Sequence, residues 1–100
     1  MIRKRFFKTK DECEVTFELE APGVELAELT LSSNDWRPVA MRRSKAGRFK
    51  LALRLPVDRR TEFCYRLDGK RWQHDPASDG HVANPFGTTN SVVDTTRPAI

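Results

Sequence analysis

Glu12-Cys13-Glu14-Val15-Thr16-Phe17-Glu18-Leu19-Glu20 alternates without a break: Cys13, Val15, Phe17 and Leu19 are apolar, and every residue between and around them is acidic or hydroxylated. Successive side chains of a strand point to opposite faces, so this period of two predicts a strand with one buried and one wet face. The same rhythm returns in Ala27–Ser32, Phe49–Leu55 and Phe63–Leu67. Turn-forming residues separate these segments: Ala21-Pro22-Gly23, Ser32-Ser33-Asn34-Asp35, Lys45-Ala46-Gly47, Pro56-Val57-Asp58, and Asp68-Gly69 leading into Arg71-Trp72. Asp-Gly between apolar runs is a tight-hairpin signal. No stretch carries helical periodicity for about eleven residues. Short strands at regular spacing, joined by polar turns, predict an all-β sandwich of immunoglobulin-like type, with Val92-Val93 in a closing strand. Its inter-sheet core is expected from Val15, Phe17, Leu29, Leu31, Phe49, Leu51, Leu53, Tyr65 and Leu67.

One hundred residues suffice for one such domain, expected over 1–100, and exclude a (β/α)8 barrel, which needs about 250. With 38 % hydrophobic and 32 % charged residues the chain is too apolar for a disordered tail and too polar for a membrane protein. The opening MIRKRFFKTK is basic but has no apolar run behind it, so neither a secretory signal nor a membrane span is expected, and the cytoplasm is the expected location. Residues 1–10 read as a first strand or a basic tail. From 74 to 90, Asp75-Pro76, Asp79-Gly80, Asn84-Pro85 and Gly87 interrupt any regular element, and so long a loop in a small domain is usually functional.

Few residues invite catalysis. No Ser or Cys stands in a nucleophile motif, Asp75 before Pro76 reads as a turn former, and His74, Asp75 and His81 lack the spacing of a metal site. No catalytic residue, metal or cofactor is therefore expected. Cys13 shares the apolar face of its strand with Val15 and Phe17, whereas Cys64 alternates with the core side of its own; thiols on opposite faces are expected to stay free. The net charge of +4 keeps polyanions open. A nucleic-acid surface would interleave basic and aromatic residues on one sheet face, whereas Glu12, Glu14, Glu18 and Glu20 interrupt the pattern set by the basic residues around Arg42–Lys50 and at the N-terminus. Cross-strand pairing is expected, and neither nucleic acid nor membrane as a partner.

The aromatic residues point elsewhere. Trp36 and Trp72 each follow a turn, outside the inward alternation of the strands, and Phe86 lies in the long loop near Thr88 and Asn90; Asn34 is close to Trp36 in sequence. Exposed indoles offer flat faces that stack on bases or on the C–H faces of sugar rings.

Leu29-Thr30-Leu31-Ser32-Ser33-Asn34-Asp35-Trp36, followed by Pro38-Val39-Ala40-Met41 and Gly47-Arg48-Phe49, resembles a stretch of the family 48 carbohydrate-binding modules. Phe63-Cys64-Tyr65-Arg66-Leu67-Asp68-Gly69-Lys70-Arg71-Trp72-Gln73-His74-Asp75-Pro76 resembles the next part of the family pattern, and Asn84-Pro85-Phe86-Gly87-Thr88-Thr89-Asn90-Ser91-Val92-Val93 its ending. That family includes the early-set domains preceding family 13 glycoside hydrolases of isoamylase type and the glycogen-binding domain of AMP-activated protein kinase β subunits. The resemblance spans about residues 12 to 94, in order. It implies a non-catalytic module that binds an α-1,4-linked glucan such as glycogen or starch, with Trp36 and Trp72 as stacking platforms, Phe86 wedged against the glucan, and Thr88 and Asn90 bonding its hydroxyls. Cys64 stands where kinase-type members use a lysine; Arg66, two residues on, is expected on the same strand face and is the replacement expected there. The alternative is a module of the same fold that has lost its sugar site and docks a glycogen-metabolic enzyme of the family 13 type.

Overall fold

The alternating segments form strands where their periodicity places them, in a computed structural model that describes residues 1–45 and 47–98. In chain order the strands are β1 (Ile2–Phe6), β2 (Glu12–Glu20), β3 (Ala27–Leu31), β4 (Val39–Ala40), β5 (Arg42–Lys45), β6 (Arg48–Pro56), β7 (Arg60–Leu67), β8 (Arg71–Gln73), β9 (Gly80–Ala83) and β10 (Thr89–Asp94). A 3-10 turn, Ser32–Asn34, follows β3. They build an all-β sandwich of two antiparallel sheets, ordered β1-β2-β6-β5 and β4-β3-β7-β10-β9, with β8 also paired to β7. Ala46, in the expected Lys45–Gly47 turn, lies outside the described residues. No described helix is long and apolar enough to cross a membrane.

The four-stranded sheet rests on the nine-residue ladder of β2 with β6, which sets Phe17 opposite Leu51 and Leu19 opposite Phe49. Its inward residues meet those of β7: the Phe17 and Phe63 rings stand edge to face with centroids 5.0 Å apart, and Phe63 and Tyr65 repeat the contact at 5.7 Å. Such pairs add to the burial of the rings themselves. Cys13, Val15, Leu29, Leu31, Phe49, Leu67 and Val93 complete the sealed core. Leu51 and Leu53 pack against it but stay partly open. The reason lies in the register, since β5 covers β6 only from Arg48 to Lys50 and beyond that β6 is an unprotected edge.

The outer face of the same sheet carries the charge. Arg3 meets Glu18 at 3.1 Å, Arg48 meets Glu20 at 3.1 Å and Arg54 meets Glu12 at 3.8 Å, each across neighbouring strands. The basic N-terminus is thus a strand, β1, laid against the acidic stripe of β2, and cross-strand pairing accounts for these charges.

Segment 74–90 departs from expectation. It is not one loop: His81, Val82 and Ala83 form β9 on the edge of the six-stranded sheet, pairing with Ser91, Asn90 and Thr89. A strand of four residues framed by Asp79-Gly80 and Asn84-Pro85 is too short to show a period. The segment's first part closes the end of the sandwich. Asp75 is 2 % exposed, and its carboxylate accepts from the Tyr65 hydroxyl at 2.8 Å, from the Ala77 amide at 2.9 Å and from the amino group of Met1. Ser91 Oγ accepts from the Asp75 amide at 2.6 Å. Asp75 is a turn former, as expected, and also the polar anchor of a buried network. Burial raises the Tyr65 hydroxyl's pKa far above its ordinary value, with the adjacent Asp75 charge adding to it. For Asp75 burial opposes ionisation, but the bonds from the Met1 amine, Ala77 and Tyr65 outweigh it and hold the carboxyl below its usual range.

Two outcomes follow for stability. In denaturant unfolding, Phe17→Ala costs about 3–5 kcal/mol, whereas Leu51→Ala, at the open edge, costs about 1–2, below the range of a sealed leucine; equal losses would contradict the register. A carboxyl depressed in the folded state contributes stability above its unfolded pKa of about 4 and loses it as pH falls through its lower folded value. The Asp75 contribution is therefore fully present at neutral pH and disappears in acid. Asp75→Asn lowers stability at pH 7 by about 1–3 kcal/mol and flattens the acid limb; an acid limb identical to that of the unaltered protein would refute the anchor.

Candidate functional site

β7 gives the site its floor. Phe63, Tyr65 and Leu67 face the core, so Glu62, Cys64 and Arg66 face outward by alternation. Along one edge, residues 60–63 of β7 pair with β10 and residues 65–67 pair with β8. Cys64 sits at the handover between them. Trp72, opposite Arg66, therefore shares its outward face, and Asn90 shares the face of Val92, which is opposite Glu62. On the other side of β7, β3 leads into the turn that carries Trp36.

That turn is made against the backbone's preference. After Ser32–Asn34, Asp35 (φ 53°) and Trp36 (φ 58°) are consecutive left-handed residues. The left-handed region costs an L-residue about 1–2 kcal/mol, and a bulky side chain is uncommon there. Two backbone bonds hold the reversal, Trp36 N–H to Leu31 O at 2.9 Å and Arg37 N–H to Asn34 O at 3.1 Å. The strain is spent on presenting an indole that remains 38 % exposed.

The far wall is the connection from β9 to β10. Its organiser is Asn84, which the sequence reading places in a turn but not in the site. Asn84 Oδ1 accepts from the Phe86 and Thr88 amides at 3.0 and 3.1 Å, and its Nδ2 donates to Thr88 Oγ1 at 2.6 Å and Asn90 Oδ1 at 3.1 Å. Asn90 Nδ2 donates in turn to Glu62 Oε1 at 3.1 Å. The loop so tied displays Phe86 with 90 % of its surface in solvent.

Trp36, Cys64, Trp72, Asn84, Pro85, Phe86, Thr88 and Asn90 line one cleft of about 710 Å3. Five of the six expected site residues, Trp36, Trp72, Phe86, Thr88 and Asn90, come together there although they span residues 36 to 90. The sixth does not. Arg66 is on the outward face, but its Nε and Nη2 lie 2.9 and 2.8 Å from Glu28 Oε1, opposite it on β3, and this pairing holds the guanidinium away from the cleft. Trp72, expected on a turn, stands on β8 and is 56 % exposed. Asn34 contributes its carbonyl to the Trp36 turn and does not line the cleft.

Cys64, where the lysine of the resembling family would stand, is a buried free thiol, as is Cys13. Its Sγ donates to Gln73 O at 3.2 Å, and burial pushes its pKa up, so it stays neutral. The cleft thus combines three aromatic surfaces with a neutral thiol at its floor and a rim of amide and hydroxyl groups.

A cavity of similar volume, about 730 Å3, lies where Met1, Glu18, Arg48 and Asp75 meet. Its contrast with the cleft is chemical. Several of its charges neutralise one another, as in Arg3–Glu18, Arg48–Glu20 and Met1–Asp75, and Phe49 is the one aromatic residue lining it. Among the described residues no group of three or more His, Cys, Asp or Glu side chains is placed to hold a metal ion.

Searches of protein-family models and of curated proteins find no match to this chain. Similarity appears among solved structures. The crystal structure of the enterobactin esterase FES from Shigella flexneri in the presence of enterobactin superposes with a TM-score of 0.79 at 12 % identity, over 99 % of this chain and 34 % of that one. Ferric enterobactin esterase from Salmonella typhimurium superposes with a TM-score of 0.76 at 11 % identity, over 94 % of this chain and 34 % of that one. The chain spans about a third of the length of these esterase structures. At such identity the likeness shows a shared sandwich fold.

Proposed function

We propose that this domain is a non-catalytic α-glucan-binding module that holds glucose rings against Trp36 and Trp72. The observation that carries the reading is the convergence of Trp36, Trp72 and Phe86 on one cleft whose rim bears Thr88 and Asn90. A pyranose ring has an apolar C–H face and a polar edge, and this cleft offers aromatic faces beside an amide and a hydroxyl. The strained Trp36 turn supports the reading as well, because backbone strain at an exposed aromatic serves presentation and gains the core nothing. The resemblance to family 48 carbohydrate-binding modules names the same residues. The covalent chemistry of an enzyme is not part of the proposal: the cleft's thiol is neutral, and the nearby Glu62 carboxylate is bonded to Asn90.

Each stacking contact contributes on the order of 1–2 kcal/mol, so a few of them give micromolar to millimolar binding. The second reading is a docking module for a family 13 glycoside hydrolase. It is favoured by Cys64 in place of lysine and by the engagement of Arg66 with Glu28. A projecting Phe86 in an apolar cleft also fits a protein side chain.

Titration with maltoheptaose, followed by NMR, separates the two. The indole N–H signals of Trp36 and Trp72 shift together, and Trp72→Ala abolishes the response while the spectrum stays dispersed, since an exposed residue on a three-residue strand adds little to the core. Indole signals unchanged at ~10 mM oligosaccharide, well above the affinities proposed, would overturn glucan binding and leave protein docking as the leading function.

A further inference from the structure

Hydrogen bonds have a direction, and around Asn84 every direction is forced from both ends. At one end stand the backbone amides of Phe86 and Thr88, which can only donate, so the atom of Asn84 that faces them is its oxygen. Asn84 must then turn its Nδ2 toward Thr88 Oγ1 and Asn90 Oδ1. At the other end Glu62 Oε1 is the acceptor, so Asn90 faces it with Nδ2. The two ends agree, and both amides are locked in one orientation. Four hydrogen-bonding positions of Asn84 are filled, which leaves it nothing for a ligand.

The consequence lies in what remains. Thr88 Oγ1 is already an acceptor for Asn84, and among the described residues nothing accepts its own proton. Asn90 spends one Nδ2 proton on Glu62 and keeps the other. Both side chains line the cleft. We infer that Asn84 is a positioning residue that sets the hydrogen-bond polarity of the cleft, so that Thr88 and Asn90 present donors and the bound molecule is recognised through acceptor oxygens. This rests on the glucan reading, in which those acceptors are the sugar's hydroxyl, ring or bridging oxygens. It assigns a specificity role to a residue that touches no ligand through its amide, and it predicts which half of each sugar hydroxyl matters.

Asn84→Asp tests it with nearly the same shape. Aspartate still accepts from the Phe86 and Thr88 amides, so the turn is kept, but it cannot donate; the Thr88 proton turns back to it, and Asn90 loses one of its two orienting partners and faces a carboxylate with its own oxygen. Maltoheptaose affinity falls about tenfold or more, while the Phe86 and Thr88 amide signals stay near their original positions. On the ligand side, maltooligosaccharides with one hydroxyl replaced by fluorine, which accepts weakly and cannot donate, bind the unaltered protein better than the corresponding deoxy sugars at the contacted position. In Asn84→Asp that preference disappears. Affinity within about twofold of the unaltered protein, or fluoro and deoxy sugars losing equally at every position, would overturn the polarity assignment and leave glucan binding standing. If no glucan binds, the functional reading fails, and the polarity is judged on the free protein. There slow solvent exchange of the Asn84 Nδ2 protons supports it, and exchange as fast as that of a solvent-exposed asparagine overturns it.

Discussion

The alternation along β7 is the constraint on which the rest of the molecule depends. One strand serves two purposes at once: Phe63, Tyr65 and Leu67 fill the space between the sheets, and Glu62, Cys64 and Arg66 form the surface behind them. Because the side-chain period is two, a slip of one residue would exchange these sets, burying Glu62 and Arg66 and exposing the aromatic core. Core packing therefore fixes which face Trp72 and Asn90 occupy, since β8 and β10 inherit their faces from β7 through pairing. The cleft's geometry follows from the same hydrophobic burial that stabilises the sandwich.

The walls of the cleft obey a different logic. Trp36 stands on a left-handed reversal that no local preference supplies, and the segment from Asn84 to Asn90 is tied by the side chain of Asn84 together with the backbone bonds Asn84 N–H to Thr88 O and Gly87 N–H to Asn84 O. Neither arrangement adds apolar burial to the core. Both use polar bonds to hold apolar surfaces in solvent, the opposite of what folding alone favours. That concentration of strain and tied loop structure around three exposed aromatics distinguishes the cleft from the charge-paired cavity at the sandwich's end.

Much of the fold was legible before any coordinates. Clean alternation in β2, β3, β6 and β7 carries its own face assignment, and Cys13 and Cys64 could be placed on opposite faces from it. What escaped were elements shorter than a readable period: the 3-10 turn, and β4, β5 and β9, which exist because a longer neighbour offers them an edge. Leu51 and Leu53 alternate as well as any core leucine, but their partial exposure depends on how far β5 extends, which no pattern within β6 records. At the site, Trp36 and Trp72 stood out by their place after turns, and Phe86, Thr88 and Asn90 were named through the family resemblance; all five line one cleft. The pairing of Arg66 was not legible, because Glu28 lies across the ladder and 38 positions away in the chain. Asn84 was hidden because its role is bonding to its own loop; the signal available was an asparagine before proline, which local side-chain-to-backbone bonding favours.

The proposed function requires glucose rings to lie against both indoles. Intermolecular NOEs in the complex with maltoheptaose measure it directly. Stacking gives contacts from the ring protons of both Trp36 and Trp72 to C–H protons of bound glucose, with further contacts from Phe86. A bound oligosaccharide whose contacts fall on other surfaces, or on neither indole, would contradict it.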